Sequence, residues 1–287
     1  MNSFDIALSN LVNQAIKEDI GSGDHSTLSC IPPTQKGKAV LKIKEGGILA
    51  GIEVAKKIFN QLEPESCLTA FKKDGDEIQP GEIAFGITAS VHTILKGERL
   101  VLNCMQRMSG IATLTASYTS LLKGYHTRLL DTRKTTPNFR LLEKEAVKIG
   151  GGTNHRFGLF DMIMLKDNHI DYCGGIIKAI NKAYDYSSNL ENPLKIEVET
   201  RNLEDVRLIC DHALDKVDRV MLDNFSPNLV ADALQLIKGK IETEASGGIN
   251  RSNIQKYAQT GVDFVSVGGL IHQAQSIDLS LKASFVK

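Results

Sequence analysis

The second half of this chain repeats one pattern: a short apolar run, then an amphipathic segment of helical period. The runs are TRLLDT (127–132), DMIML (161–165), LKIEVE (194–199), DRVMLD (218–223), IETEAS (241–246) and DFVSV (263–267). Segments such as 203–214 and 228–238 separate most of them. Strand and helix in regular alternation return the chain to the same end each time, which predicts a parallel sheet. An open dinucleotide-binding sheet would carry G-x-G-x-x-G after its first strand, and none is present. The pattern therefore favours an α/β barrel.

The first half lacks that rhythm. KAVLKIK (38–44) suits a strand, Gly46-Gly47 breaks it, and residues 51–62 have helical spacing. Pro80-Gly81 is a turn before a strand near 83–87. This predicts a small α+β domain. A helical stretch follows over 92–123, and Ser109-Gly110 predicts a break in it, because glycine inside a helix costs about 1 kcal/mol against alanine. No Pro- or Ser-rich linker separates the halves.

Composition narrows the partners. Thirty-four basic residues balance 34 acidic ones, so no global basic excess points to nucleic acid. The five cysteines (Cys30, Cys67, Cys104, Cys173, Cys210) are scattered and form no C-x-x-C pair. Reduced thiols and a cytoplasmic setting are the expectation. The opening residues lack a secretory pattern, and Phe4, Leu8, Leu11, Ala15 and Ile16 fall on one helical face. No apolar run approaches the roughly 20 residues that cross a bilayer.

The residues that end the apolar runs carry the chemistry. Asp131, Arg133 and Lys134 follow the first, and Lys166, Asp167 and Asn168 the second. Glu199 ends the third, Asp223-Asn224 the fourth, Ser246-Gly247-Gly248 the fifth and Gly268-Gly269 the sixth. Barrel enzymes place catalytic groups at the carboxyl ends of their strands, so these residues are expected at one mouth. Arg133, Lys134, His155, Arg156 and Lys166 form a basic set within a neutral chain. Guanidinium forks grip carboxylate and phosphate, which suits a ligand with several negative groups. A solvated charged face is the plain alternative. The glycine-rich endings suit phosphate held by backbone N–H groups, although tight turns need glycine as well. Glu199 and Asp223 suit Mg²⁺ on a pyrophosphate, or a developing sugar cation.

At these positions the chain closely resembles the quinolinate phosphoribosyltransferase family. The segments are EDIGSGDHST (18–27), ERLVLNCMQRMSGIAT (98–113), DTRKTTPNFR (131–140), GGGTNHRFGLFDMIMLKDNHI (150–170), EVET (197–200), MLDN (221–224), EASGGI (244–249) and SVGGL (266–270). They run in family order along nearly the whole chain. The resemblance implies an N-terminal α/β sandwich over residues 1–110. An incomplete barrel of about seven strands would occupy 111–271, with a tail, 272–287, that rejoins the first domain. It implies a homodimer in which Arg107 enters the neighbouring subunit's site.

The resemblance also implies roles. Arg133, His155, Arg156 and Lys166 would hold two substrate carboxylates, with Lys134 near both ligands. Glu199 and Asp223 would face ribose and Mg²⁺, while Ser246, Gly247, Gly248, Gly268 and Gly269 would bind phosphate. Lys134 or Lys166 would assist decarboxylation, and these two lysines with Glu199 and Asp223 form the expected catalytic set. The implied substrates are quinolinate and phosphoribosyl pyrophosphate, giving nicotinate mononucleotide, pyrophosphate and CO₂ for NAD synthesis. The chain departs from the pattern at Asn138, where glycine is common, at Gly269, where alanine is frequent, and at GDHST. Three rivals remain: a paralogous molybdenum-transport-associated protein, a barrel aldolase with Lys166 as its Schiff base, and a non-catalytic nucleotide binder.

Overall fold

The computed structural model describes residues 3–283, which divide into two compact units. The first unit runs to Ala116, takes in Thr135–Gly151 and resumes at Leu270. It contains strands β1 (Lys36–Ile43), β2 (Gly47–Ile48), β3 (Cys67–Ala70), β4 (Glu77–Ile78) and β5 (Ile83–Ser90). The second unit covers Ser117–Lys134 and Gly152–Gly269. It holds β6 (Arg128–Leu130), β7 (Ile163–Leu165), β8 (Ile196–Thr200), β9 (Arg219–Asp223), β10 (Glu242–Ser246) and β11 (Phe264–Ser266). A last strand, β12 (Leu279–Ala283), belongs to the first unit.

In the first unit an antiparallel sheet has the order β12-β1-β5-β3, with Leu41 opposite both Leu281 and Phe85. Residues 284–287 of the expected tail lie outside the described residues. Alternation in β1 buries Ala39, Leu41 and Ile43 on one face. The helix Ile52–Leu62 sets Phe59 edge-on to Phe85 of β5, with centroids 6.3 Å apart and both rings fully buried. Asp74 accepts the Gly51 and Ile52 N–H groups at 2.7 and 2.8 Å, capping that helix from a distant loop.

One expectation changes here. The helix Val91–Thr119 passes through Ser109-Gly110 without a break. Ser109 Oγ accepts the Ala50 N–H at 2.9 Å, and a Cβ on Gly110 would run into the Gln275 carbonyl. Close backbone approach, not helix breaking, explains that glycine. Residues Thr135–Gly151 cluster with the first unit, within the span 111–271 expected for the barrel domain. The reason is local: Glu143 is buried against Arg107, and a Cβ on Gly150 would meet Ala112.

The second unit is a parallel sheet of order β6-β11-β10-β9-β8-β7, and each of the six apolar runs coincides with one of its strands, β8 extending one residue past its run. Thr153 makes one isolated parallel bridge to Leu130 of β6, whose ladder partner on β11 is Ser266. The sheet thus has six strands, against the about seven that the resemblance implies. All five residues of β8 are buried, as a strand covered on both faces requires. Helices connect the strands and start on side-chain caps: Asn202 for Leu203–His212, and Ser226 with Pro227 at the first turn for Pro227–Ile237. Among the described residues no helix is long and apolar enough to cross a membrane.

Candidate active site

Every site residue expected from the sequence, Arg107 excepted, lies in the second unit, and all of these but His155 and Arg156 stand at or just beyond a strand's carboxyl end. Asp131, Arg133 and Lys134 follow β6, and Lys166 follows β7. Glu199 is the penultimate residue of β8, Asp223 closes β9, Ser246 closes β10, and Gly268 and Gly269 follow β11. Parallel strands put all these ends on one edge of the sheet.

His155 and Arg156 reach that edge by a loop fastened to β6. Asp131, wholly buried, donates its N–H to the Thr153 carbonyl at 3.1 Å and accepts the His155 N–H on Oδ1 at 2.7 Å. Asp131 is thus a brace for the loop. Asp161 holds the far side by accepting the Phe157 and Gly158 N–H groups at 2.6 and 2.8 Å.

Arg156 donates to the Met162 carbonyl at 3.3 Å. Burial lowers its pKa first, and the neighbouring Arg133 guanidinium lowers it further. Two arginines close enough to repel, one of them partly buried, form a site that favours an anion. Lys166 Nζ lies 2.8 Å from Oε2 of Glu199, whose side chain is 10% exposed against 47% for the lysine. An aldolase Schiff-base lysine is normally desolvated. Lys166 is half exposed and bound to a carboxylate, which argues against that chemistry.

His155 differs from its expected placement. Its Nδ1 accepts the Arg156 N–H at 2.6 Å, and its Nε2 stands 2.9 Å from Glu197 and 3.2 Å from Glu244. Neither carboxylate oxygen lies along the Nε2–H direction, so this contact is electrostatic more than directional. Burial pulls the imidazole pKa down, but the two carboxylates outweigh it and push it up to about 9. Burial, and then Glu244, raise Glu197 to about 7. Nδ1 accepts the Arg156 N–H, so Nε2 is the ring nitrogen that turns its proton toward the two carboxylates. His155, Glu197 and Glu244 have the spacing of a metal-ligand set. Arg219, at 3.4 Å from Glu244 and 3.9 Å from Glu197, already supplies a cation there.

The glycine-rich ending of β10 has left-handed backbone. Gly247 has φ 91°, and a Cβ there would strike the Asn224 side chain. Gly248 has φ 64° and open space where a Cβ would stand. Asn224, itself at φ 58°, donates its N–H to the Ser246 carbonyl at 2.8 Å and its side-chain amide to Asp223 Oδ2 at 2.6 Å. One residue thus ties the end of β9 to the end of β10. Asp223 and Glu199 bring carboxylate oxygens to these strand ends. Such hard oxygen donors suit Mg²⁺.

The Nε and Nη2 of Arg107 donate to Glu143 Oε1 at 3.1 and 2.9 Å, Nη1 donates to the Ala274 carbonyl and Nη2 also to that of Ile271. These contacts engage the guanidinium within its own chain. The sequence reading passed over Glu197, Glu244 and Arg219. The signal was a period of two in IEVET and IETEAS, which sets Glu197 with Glu199, and Glu242 with Glu244, on one face of each strand.

A two-unit α/β chain with paired arginines, glycine-lined backbone loops and carboxylates at one edge of a parallel sheet defines an anion-binding α/β enzyme scaffold. Residues 24–109 match the family described as quinolinate phosphoribosyl transferase, N-terminal domain, and residues 111–282 match its C-terminal domain. The probable nicotinate-nucleotide pyrophosphorylase [carboxylating] of Bacillus subtilis is 41% identical over 276 residues, covering 96% of this chain and 93% of that protein. A chloroplastic nicotinate-nucleotide pyrophosphorylase [carboxylating] of Arabidopsis thaliana is 40% identical, covering 95% of this chain and 81% of that one. The crystal structure of NadC from Streptococcus pyogenes superposes with a TM-score of 0.91 over 100% of both chains, at 37% identity. This chain belongs to the quinolinate phosphoribosyltransferase family.

Proposed function

We propose that this protein joins quinolinate to phosphoribosyl pyrophosphate and releases nicotinate mononucleotide, pyrophosphate and CO₂. The observation that carries this reading is the pairing of Arg133 with Arg156, with the Lys166–Glu199 pair at the carboxyl ends of β7 and β8 in the same sheet. Two guanidiniums that repel each other are relieved by a ligand with two carboxylates.

Arg133, Arg156 and Lys166 fix the acid and aim its ring nitrogen at the anomeric carbon, a positioning effect worth up to several kcal/mol. Positive charge develops on the ribose as pyrophosphate departs, and Glu199 and Asp223 offset it. The same two residues would hold Mg²⁺, which when bound neutralises charge on the departing pyrophosphate. Backbone N–H groups of Ser246–Gly248 and Gly268-Gly269 receive phosphate. Once alkylated, the cationic ring accepts the electron pair of the breaking C–C bond as CO₂ leaves, and Lys134 or Lys166 stands near the carbanion.

A cytoplasmic homodimer is part of this reading. Because Arg107 is engaged in its own chain, the arginine of ERLVLNCMQRMSGIAT left to meet a second subunit is Arg99, exposed on the same helix.

The test is incubation of the purified protein with quinolinate, phosphoribosyl pyrophosphate and Mg²⁺. Nicotinate mononucleotide and CO₂ in equal amounts are expected. Absence of CO₂ release would favour the molybdenum-transport-associated paralogue, and absence of any turnover the nucleotide binder.

A further inference from the structure

The second unit carries a buried cluster of four titratable side chains, three of which the proposed reaction leaves without a role. Glu197 and Glu244 are fully buried, and Arg219 and His155 are 8% and 9% exposed. Arg219 opens β9 at the amino end of the sheet, opposite to the end that carries the chemistry. Its guanidinium lies 4.1 Å from the Phe264 ring centroid and is anchored to Glu242 at 2.9 Å. From there it faces Glu244 and Glu197, and those carboxylates face His155 Nε2. The imidazole's other nitrogen accepts the Arg156 N–H. A chain of charged contacts therefore runs from the amino ends of the strands to the backbone of a substrate-facing arginine.

Burying four such groups is expensive, and replacing a buried ion cluster by apolar residues is often neutral or stabilising. Stability alone does not explain this one. Both ring nitrogens of His155 already face protein, so the ring is poorly placed to bind a substrate carboxylate as well. Its contact with Arg156 is instead to the main chain, which fixes where that guanidinium emerges.

We propose that Glu244 and Glu197, backed by Arg219, are positioning residues that seat the His155 ring and through it Arg156, so that they set affinity for the aromatic dicarboxylate without touching it. His155 is then a support for the binding arginine, not a ligand. The substrate side of this inference rests on the quinolinate reading above, while the structural side stands apart from it.

Glu244→Gln preserves shape and removes one charge. In the otherwise intact protein, the quinolinate KM is expected to rise about ten-fold, with the phosphoribosyl pyrophosphate KM within about two-fold. In an Arg156→Ala background the same substitution should add nothing further, because residues acting through one another are not additive. Amide hydrogen exchange at Arg156 should accelerate about ten-fold, since that N–H loses its oriented acceptor. Additive effects, equal loss for both substrates, or unchanged Arg156 exchange would overturn the inference. If Glu244→Gln does not fold, Glu197→Gln is judged by the same three readouts. If the unsubstituted protein does not turn over quinolinate, the substrate reading fails, and Arg156 exchange still decides the positioning role.

Discussion

Lys166 and Glu199 close on each other across neighbouring parallel strands, Nζ to Oε2 at 2.8 Å, where β7 ends and β8 is about to end. In the proposed reaction Glu199 faces a developing sugar cation. Glu199→Gln keeps the volume and removes the charge. Its expected effect is a fall in kcat of about 100-fold, with the quinolinate KM changed by less than about three-fold. Steady-state kinetics with each substrate varied in turn checks this. Unchanged turnover would remove Glu199 from the mechanism.

Arg107 and Glu143 form a largely buried pair, with side-chain exposures of 24% and 0%. Glu143 also accepts the Thr136 N–H and hydroxyl at 2.8 and 2.9 Å, so it fastens the TTP segment to the helix that follows. Removing one partner of such a pair costs about 3–5 kcal/mol. Arg107→Ala should therefore lower the melting temperature by several degrees and weaken both substrates alike. A normal melting temperature with selective loss of quinolinate binding would restore Arg107 to the substrate.

These two pairs show what the sequence could and could not tell. Lys166 and Glu199 each sit at the end of an apolar run, and strand-end position is a local property, so alternation of strand and helix was enough to place them. The same signal located all six strands of the parallel sheet. Arg107 and Glu143 are 36 residues apart, and nothing local announces that a guanidinium on one helix meets a carboxylate on another. The Glu197–Glu244–His155 cluster was hidden for a like reason: three elements contribute to it, and each charge taken alone reads as exposed. The Gly110 break failed because glycine serves close packing as readily as helix ending, and only the Gln275 backbone distinguishes the two.

Asn138 occupies the left-handed region at φ 61°, which explains why glycine and asparagine both suit that position. Gly269 is the opposite case. It opens the helix Gly269–His272, where alanine has the higher helix propensity. Asn138→Gly is expected to leave stability within about 0.5 kcal/mol, whereas Asn138→Val should cost about 1–2 kcal/mol through backbone strain. Denaturant unfolding of both variants checks the difference. Equal stability would show that the loop relaxes to another conformation.

Glu63 supplies a pH-dependent tether in the first unit. Its carboxylate accepts Lys36 Nζ at 2.6 Å and the Ser90 N–H at 2.8 Å. The Lys36 bond does most to hold its pKa down, at about 2, against a burial effect that opposes it. A carboxylate whose folded pKa lies below its unfolded value contributes stability that is fully present above the unfolded pKa, near 4.5, and is lost as pH falls toward 2. Lys36 is 66% exposed, so solvent screens that bond, and the tether is worth about 1 kcal/mol. Glu63→Gln should lower the melting temperature at pH 7 by a few degrees, and the gap to the unsubstituted protein should narrow steadily between pH 4.5 and 3. A gap that stays constant over that range would mean the carboxylate's charge contributes nothing, and that glutamine loses only shape.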